Sequence, residues 1–161
     1  MRILGIDPGY ERLGIAIMEK QKNKDFLVYS ECFQTPKEIP FHERLLLLGN
    51  KVENIIRTYQ PNILSIETLM FNTNQKTVMN VAEARGVILF QAIKNGLEIF
   101  EFNPLQIKIA ITGYGRSDKN QVTEMVKRLV KIEKKEAKDD EYDAIACALT
   151  CFASYNTLKT R

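Results

Sequence analysis

The sequence predicts an α/β fold in which a mixed five-stranded sheet, an antiparallel meander extended by parallel strands, is flanked by helices. Three observations carry this. Three strand-like runs precede any helical periodicity, apolar runs and helical stretches alternate after them, and the element order is therefore β-β-β-α-β-α-β-α-α-α. With 161 residues, 45% of them apolar and 9% aromatic, the chain supplies one core, so a single domain spanning residues 1–161 is expected.

Ile3–Asp7 is a short apolar run closed by the turn chemistry of Asp7-Pro8-Gly9. Gly14–Glu19 and Phe26–Phe33 are the next strands, and the polar stretch Gln21–Asp25 is their hairpin loop. Leu45, Leu48, Val52, Ile55, Ile56 and Tyr59 recur at helical spacing, and Gln60-Pro61 ends that helix, because a residue before proline avoids helical geometry. Ile63–Glu67 reads as a buried strand ending in an acid. A second long helix covers about Thr73–Asn95 and closes at Gly96, and Leu97–Phe102 is the last strand. Pro104 opens a short helix through Ile111, Gly113-Tyr114-Gly115 breaks it, and Ser117 or Asp118 caps a helix to about Val130. Glu133–Glu141 is expected as a charged loop before a final helix, Tyr142–Tyr155.

Composition removes several kinds of chemistry. The single histidine, His42, rules out sites built from several histidine ligands and argues against a Ser-His triad. Cys32, Cys147 and Cys151 form no CxxC or Cys/His spacing, so they are expected as reduced thiols in packing roles. A net charge of +3 permits nucleic-acid binding without announcing it. No window has the apolar length of a membrane span, and MRILGID runs straight into a strand without a signal peptide's sections, so a cytoplasmic protein without membrane contact is expected.

Carboxylates remain, and four stand out by position. Asp7 ends the first strand, Glu67 ends the fourth, and Asp140 and Asp143 share a face at the start of the last helix. Sites in α/β sheets form beyond the carboxyl ends of strands, so Asp7 and Glu67 meet there if strands one and four are neighbours. Each acid has a plainer reading as well: Asp7 suits a turn, and Asp140 and Asp143 suit a helix N-terminus. Converging carboxylates repel each other, and a divalent cation with a taste for oxygen, Mg²⁺ or Mn²⁺, is the usual remedy. Two such ions about 4 Å apart can clamp a phosphodiester without any protein nucleophile.

The segment Ile3–Glu19 (ILGIDPGYERLGIAIME) resembles the opening of RuvC Holliday-junction resolvases. Arg44 in HERLLLL, Glu67 in SIETLMF, the run AEARGV at Ala82–Val87, the loop GYGRSDKNQV at Gly113–Val122 and DDEYDAIACAL at Asp139–Leu149 follow in that family's order. The resemblance implies an RNase H-like fold, with Asp7, Glu67, Asp140 and Asp143 as catalytic residues and as ligands of two Mg²⁺ ions. Asp139 adjoins Asp140; the family's two-residue gap between its last acids selects Asp140. The resemblance further implies symmetric cutting of four-way DNA junctions to 5′-phosphate and 3′-hydroxyl ends and a homodimer formed partly by the second long helix with Val78, Val81, Ala82, Val87 and Ile88; the RuvAB branch-migration complex is a candidate partner whose physical contact the sequence leaves open. Intramolecular packing explains that apolar stripe equally well.

Among the basic residues Lys76, Arg85, Lys108, Arg116, Lys119, Lys127 and Arg128, Lys108 and Lys119 match basic positions of the family; with Arg116 they are the candidate DNA-binding cations. The chain departs from the family pattern where an aromatic residue is common three places after the catalytic Glu. Here that place is Met70, with Phe71 beside it, and either is a candidate wedge at the junction centre. Two other readings are a related nuclease acting on another branched or RNA-containing substrate, and a non-enzymatic junction-binding module. Four acids facing phosphate argue against the second.

Overall fold

Period-two alternation along the central strands decides which side chains meet which helices. In the computed structural model, which describes residues 1–22, 24–69, 75–133 and 137–159, the elements follow the expected order. They are β1 (Arg2–Asp7), β2 (Arg12–Gln21), β3 (Lys24–Gln34), α1 (Phe41–Tyr59), β4 (Ile63–Glu67), α2 (Gln75–Lys94), β5 (Glu98–Phe102), α3 (Pro104–Thr112), α4 (Lys119–Leu129) and α5 (Asp139–Lys159). The sheet order is β3-β2-β1-β4-β5. β1 and β3 run antiparallel to β2, while β1, β4 and β5 are parallel, giving the mixed sheet.

Both faces of the sheet are covered, so the interiors of β1 and β4, Ile3–Ile6 and Ile63–Ile66, are buried on both faces and apolar apart from Ser65. Leu4, Ile6, Leu64 and Ile66 belong to the core shared with Leu48, Val52, Ile55 and Ile56 of α1 and Ala84, Ile88 and Ala92 of α2. Ile3 and Ile63 belong to the opposite core, built with Ile107 and Ile111 of α3, Val122 and Val126 of α4, and Ala144, Ile145 and Ala148 of α5. By the same alternation, Asp7 and Glu67 fall on the α5 face.

α5 lies unusually close to the sheet. A Cβ on Gly5 would come within 2.2 Å of the Ala144 carbonyl oxygen, and one on Gly14 within 2.0 Å of the Asp140 carbonyl oxygen. Glycine at these two positions is therefore what seats the first turns of α5 against β1 and β2. Ser65 Oγ completes the seat by donating to the Cys147 carbonyl at 2.7 Å.

Several boundaries differ from expectation. The charged stretch expected as loop through Glu141 becomes helical at Asp139. Its acids favour a helix N-terminus, and buried Glu141 accepts the Lys138 backbone N–H at 3.1 Å and the Ser30 hydroxyl at 2.6 Å. The β2–β3 hairpin is tighter than the Gln21–Asp25 loop, since the strands reach Gln21 and resume at Lys24. Gln60 does leave α1, in a left-handed conformation with φ 48°. Asn103 caps α3, and Asp118, not Ser117, caps α4, both with capping boxes. Cys147 and Cys151 are buried free thiols, and Cys32 is a partly buried one. No helix among the described residues is long and apolar enough to cross a membrane.

Candidate active site

Parallel pairing of Ile6 with Ile66 brings Asp7 and Glu67 side by side at the carboxyl ends of β1 and β4. The neighbour relation that the sequence left conditional thus holds. α5 supplies the other acids: Asp143 one helical turn into the helix, with its side chain 26% exposed, and Asp140, 18% exposed, in the first turn. Asp139 is 72% exposed, which separates it from its neighbour and favours Asp140 as the inward acid.

Electrostatics tie these groups into one cluster. Burial first, then the facing carboxylates of Asp143, Glu67 and Asp140, push the Asp7 carboxyl up to about 7, while Lys119 pulls it down. Glu67 is likewise pushed up to about 7 by burial and then by Asp143, against Lys119 and Lys108. Asp143 is raised by burial, opposed by its contact with Lys119. Carboxylates gathered at one place and partly withdrawn from water are the donor set of a hard divalent cation.

Their repulsion is relieved by the cations at hand. Lys119 Nζ lies 2.9 Å from Asp143 Oδ2 and 3.7 Å from Asp139 Oδ2. Arg12, at the start of β2, donates to Asp140 Oδ2. Among the described residues, no three acidic, histidine or cysteine side chains stand in ligating geometry as a group. The chemistry of the donor set nevertheless fits Mg²⁺ or Mn²⁺, because Asp7 and Glu67, half-buried and close enough to raise the Asp7 carboxyl, carry no ion pair among the described residues.

The loop after Asp7 is buttressed from α1. Buried Arg44 donates through Nε to Thr35 Oγ1 at 2.8 Å and stacks 5.0 Å from the Tyr10 ring centroid, and Thr35 Oγ1 donates to the Tyr10 carbonyl at 2.7 Å.

Of the candidate DNA-binding cations, Lys119 reaches the cluster directly and Lys108 of α3 is felt at Glu67, whereas Arg116 is exposed in the loop before α4. Arg85 is engaged elsewhere, donating to the Glu67 carbonyl at 3.3 Å and pairing with Glu101 at 2.7 Å. Lys127 pairs with Glu124 at 2.8 Å. Met70 and Phe71 lie outside the described residues, as does the side chain of Lys76. Arg12 and Cys32, the partners of Asp140, carried no signal in the sequence: no local spacing links them to an acid more than 100 positions away.

The outward face of α2 departs from expectation at one residue. Of the expected stripe, Ile88 is fully buried in the protein's own core, Val78, Val81 and Val87 are partly exposed and Ala82 is exposed, and the large apolar side chains most exposed on α2 are Met79, Phe90 and Ile93. Gly86 lies between them on the helix with open space beyond it.

The family model described as Crossover junction endodeoxyribonuclease RuvC matches residues 3–151. The chain is 42% identical over 158 residues to the crossover junction endodeoxyribonuclease RuvC of Desulfitobacterium hafniense, covering 98% of this chain and 96% of that protein. It is 44% identical over 148 residues to the protein of that name from Petrotoga mobilis, covering 92% and 91%. Among solved structures, Thermus thermophilus RuvC in complex with Holliday junction substrate superposes with a TM-score of 0.90 at 27% identity, over 99% of this chain and 97% of that one. A separate Thermus thermophilus RuvC structure gives 0.87 at 26% identity, over 98% and 96%. The family's RNase H-like architecture thus agrees with the mixed sheet and flanking helices seen here. A match spanning nearly every element, from the strand that carries Asp7 to the helix that carries Asp143, places this chain in the RuvC family of crossover junction endodeoxyribonucleases.

Proposed function

We propose that the protein resolves four-way DNA junctions by hydrolysing phosphodiesters in opposed strands, leaving 5′-phosphate and 3′-hydroxyl ends. The observation that carries this reading is the pair Asp7 and Glu67, adjacent at two strand ends and each pushed up to about 7 by burial and by Asp143 opposite. Asp7, Glu67, Asp140 and Asp143 would hold two Mg²⁺ ions, or Mn²⁺ in their place. Bound there, such ions lower the pKa of an attacking water and stabilise the leaving 3′ oxygen.

The remaining work belongs to the chain's own side chains. Asp7, which feels all three other acids, would be a ligand at the centre of the set. Lys119 and Lys108, the cations felt at Glu67, hold a phosphate without reading bases, and exposed Arg116 extends that grip along the backbone. Met70 or Phe71, following Glu67 in the chain, opens the junction centre.

Paired cutting calls for two sites related by a two-fold axis, because the junction itself has near two-fold symmetry. The homodimer is supported by the outward face of α2, where Met79, Phe90 and Ile93 are each more than 60% exposed while the opposite face of the helix packs into the core. A cytoplasmic location and cooperation with a RuvAB branch-migration complex belong to the same reading, the second by family resemblance alone.

The test is incubation of the purified protein with a synthetic four-way junction, a plain duplex and an RNA–DNA hybrid, each in Mg²⁺, Ca²⁺ or excess EDTA. Paired nicks confined to the junction and to Mg²⁺ are expected, since Ca²⁺ coordinates more loosely. Cutting of the hybrid instead points to a related nuclease, and binding without cutting in Mg²⁺ to a recognition module.

A further inference from the structure

Asp140 is the one acid of the cluster whose side chain is held from the sheet. Arg12 opens β2 and donates through Nη2 to Asp140 Oδ2, and the Cys32 thiol on β3 donates to the same oxygen at 3.5 Å. Cys32 is the register partner of Gly14, the residue over which the Asp140 backbone is seated. Arg12 precedes Gly14 by two positions and so shares its face of β2. The main chain of Asp140 is therefore set by contact at Gly14, and its carboxylate by two donors on one oxygen.

The position of Arg12 separates it from the other cations of the site. Lys119 and Lys108 are the positive charges felt within the cluster at Asp7 and Glu67, whereas Arg12 acts on Asp140 and Cys32 at its sheet side. A guanidinium placed there offsets the charge of one acid and also fixes its orientation. A planar fork suits that task better than an ammonium, because its donors are fixed relative to one another.

We infer that Arg12, together with Cys32, is a positioning residue that presets the Asp140 carboxylate for a divalent cation, and is not a phosphate contact. This rests on the reading of Asp7, Glu67, Asp140 and Asp143 as a metal site. Groups that orient a metal ligand typically account for 10–100-fold in metal affinity.

The test titrates Mn²⁺ alone into the full chain without DNA, reading free Mn²⁺ by electron paramagnetic resonance, for the wild type, Arg12→Gln, Arg12→Lys and Cys32→Ser. Junction binding in EDTA is measured in parallel across salt concentrations, and thermal midpoints are recorded. Arg12→Gln is expected to weaken Mn²⁺ binding about tenfold or more. Arg12→Lys should recover part of that loss, and Cys32→Ser, which keeps a donor, should show little. The thermal midpoint and the salt slope of junction binding should not move. Equal or tighter Mn²⁺ binding by Arg12→Gln overturns the inference. So does unchanged Mn²⁺ binding with a salt slope shallower by about one unit, the mark of a lost phosphate contact. A wild type that binds no Mn²⁺ removes the metal site itself, a result distinct from either.

Discussion

Lys119 Nζ stands 2.9 Å from Asp143 Oδ2, so a cation from the first turn of α4 reaches the acid cluster carried by α5 and the strand ends. An ammonium in that place balances the acids and can also meet a phosphate. Lys119→Ala is expected to weaken junction binding and to make its log–log dependence on salt shallower by about one unit, as for one lost phosphate contact. Filter binding across a salt series measures the slope, and an unchanged slope would leave Lys119 only its role beside Asp143.

The raised carboxyl of Asp7 has a consequence for stability. In EDTA, between its ordinary value of 3.8 and about 7, the folded protein keeps a proton on Asp7 that the unfolded chain has released. The folded state binds more protons in that window, so this group's contribution to stability falls as pH rises through it and levels off above about 7. Asp7→Asn removes the effect. Its thermal midpoint in EDTA should match the wild type near pH 4 and exceed it at pH 8 by at least 2–4 °C, roughly the shift of one kcal/mol at this chain length. The variant should lose cleavage while binding junctions as tightly as the wild type or tighter. A wild-type midpoint equal to the variant's at pH 8 would count against the burial and repulsion described at this site.

On α2, Phe90 and Ile93 are 62% and 67% exposed. Phe90→Asp places a charge on the proposed dimer face without touching the core. Size-exclusion chromatography with light scattering should show a monomer, and nicking of junctions should become unpaired. The thermal change measured on the monomer should stay within about 0.5 kcal/mol of surface substitutions generally. A dimer that survives the substitution would locate the two-fold contact elsewhere.

Phe71 and Met70 compete for the place of the junction wedge. Unstacking bases costs a few kcal/mol per step, and an aromatic ring recovers about 1–3 kcal/mol by stacking, more than a thioether. Phe71→Ala is therefore expected to reduce junction cleavage sharply with little change in thermal midpoint, and Met70→Ala to destabilise with cleavage retained. Cleavage assays paired with thermal melts decide between them. Loss of cleavage on Met70→Ala alone would assign the wedge to the family's usual position.

Much of the architecture was legible because its signals are local. Runs of apolar residues and their periods give the strands and helices in order, proline and glycine mark the breaks, and an acid closing a buried strand stands out at Asp7 and at Glu67 wherever the strands end up. The absence of all but one histidine narrowed the chemistry to carboxylates before any contact was known. Tertiary structure decided what depends on pairing between distant segments. The parallel register of Ile6 with Ile66 made Asp7 and Glu67 neighbours. The helix start at Asp139 seats the Asp140 backbone against Gly14, with the Asp140 side chain inward and Asp139 in solvent. The partnership of Arg12 and Cys32 with Asp140, and the turning of Ile88 inward and Phe90 outward on α2, were likewise set by which surfaces the fold brings together. Periodicity shows that a residue lies on a face, but only packing determines what that face meets.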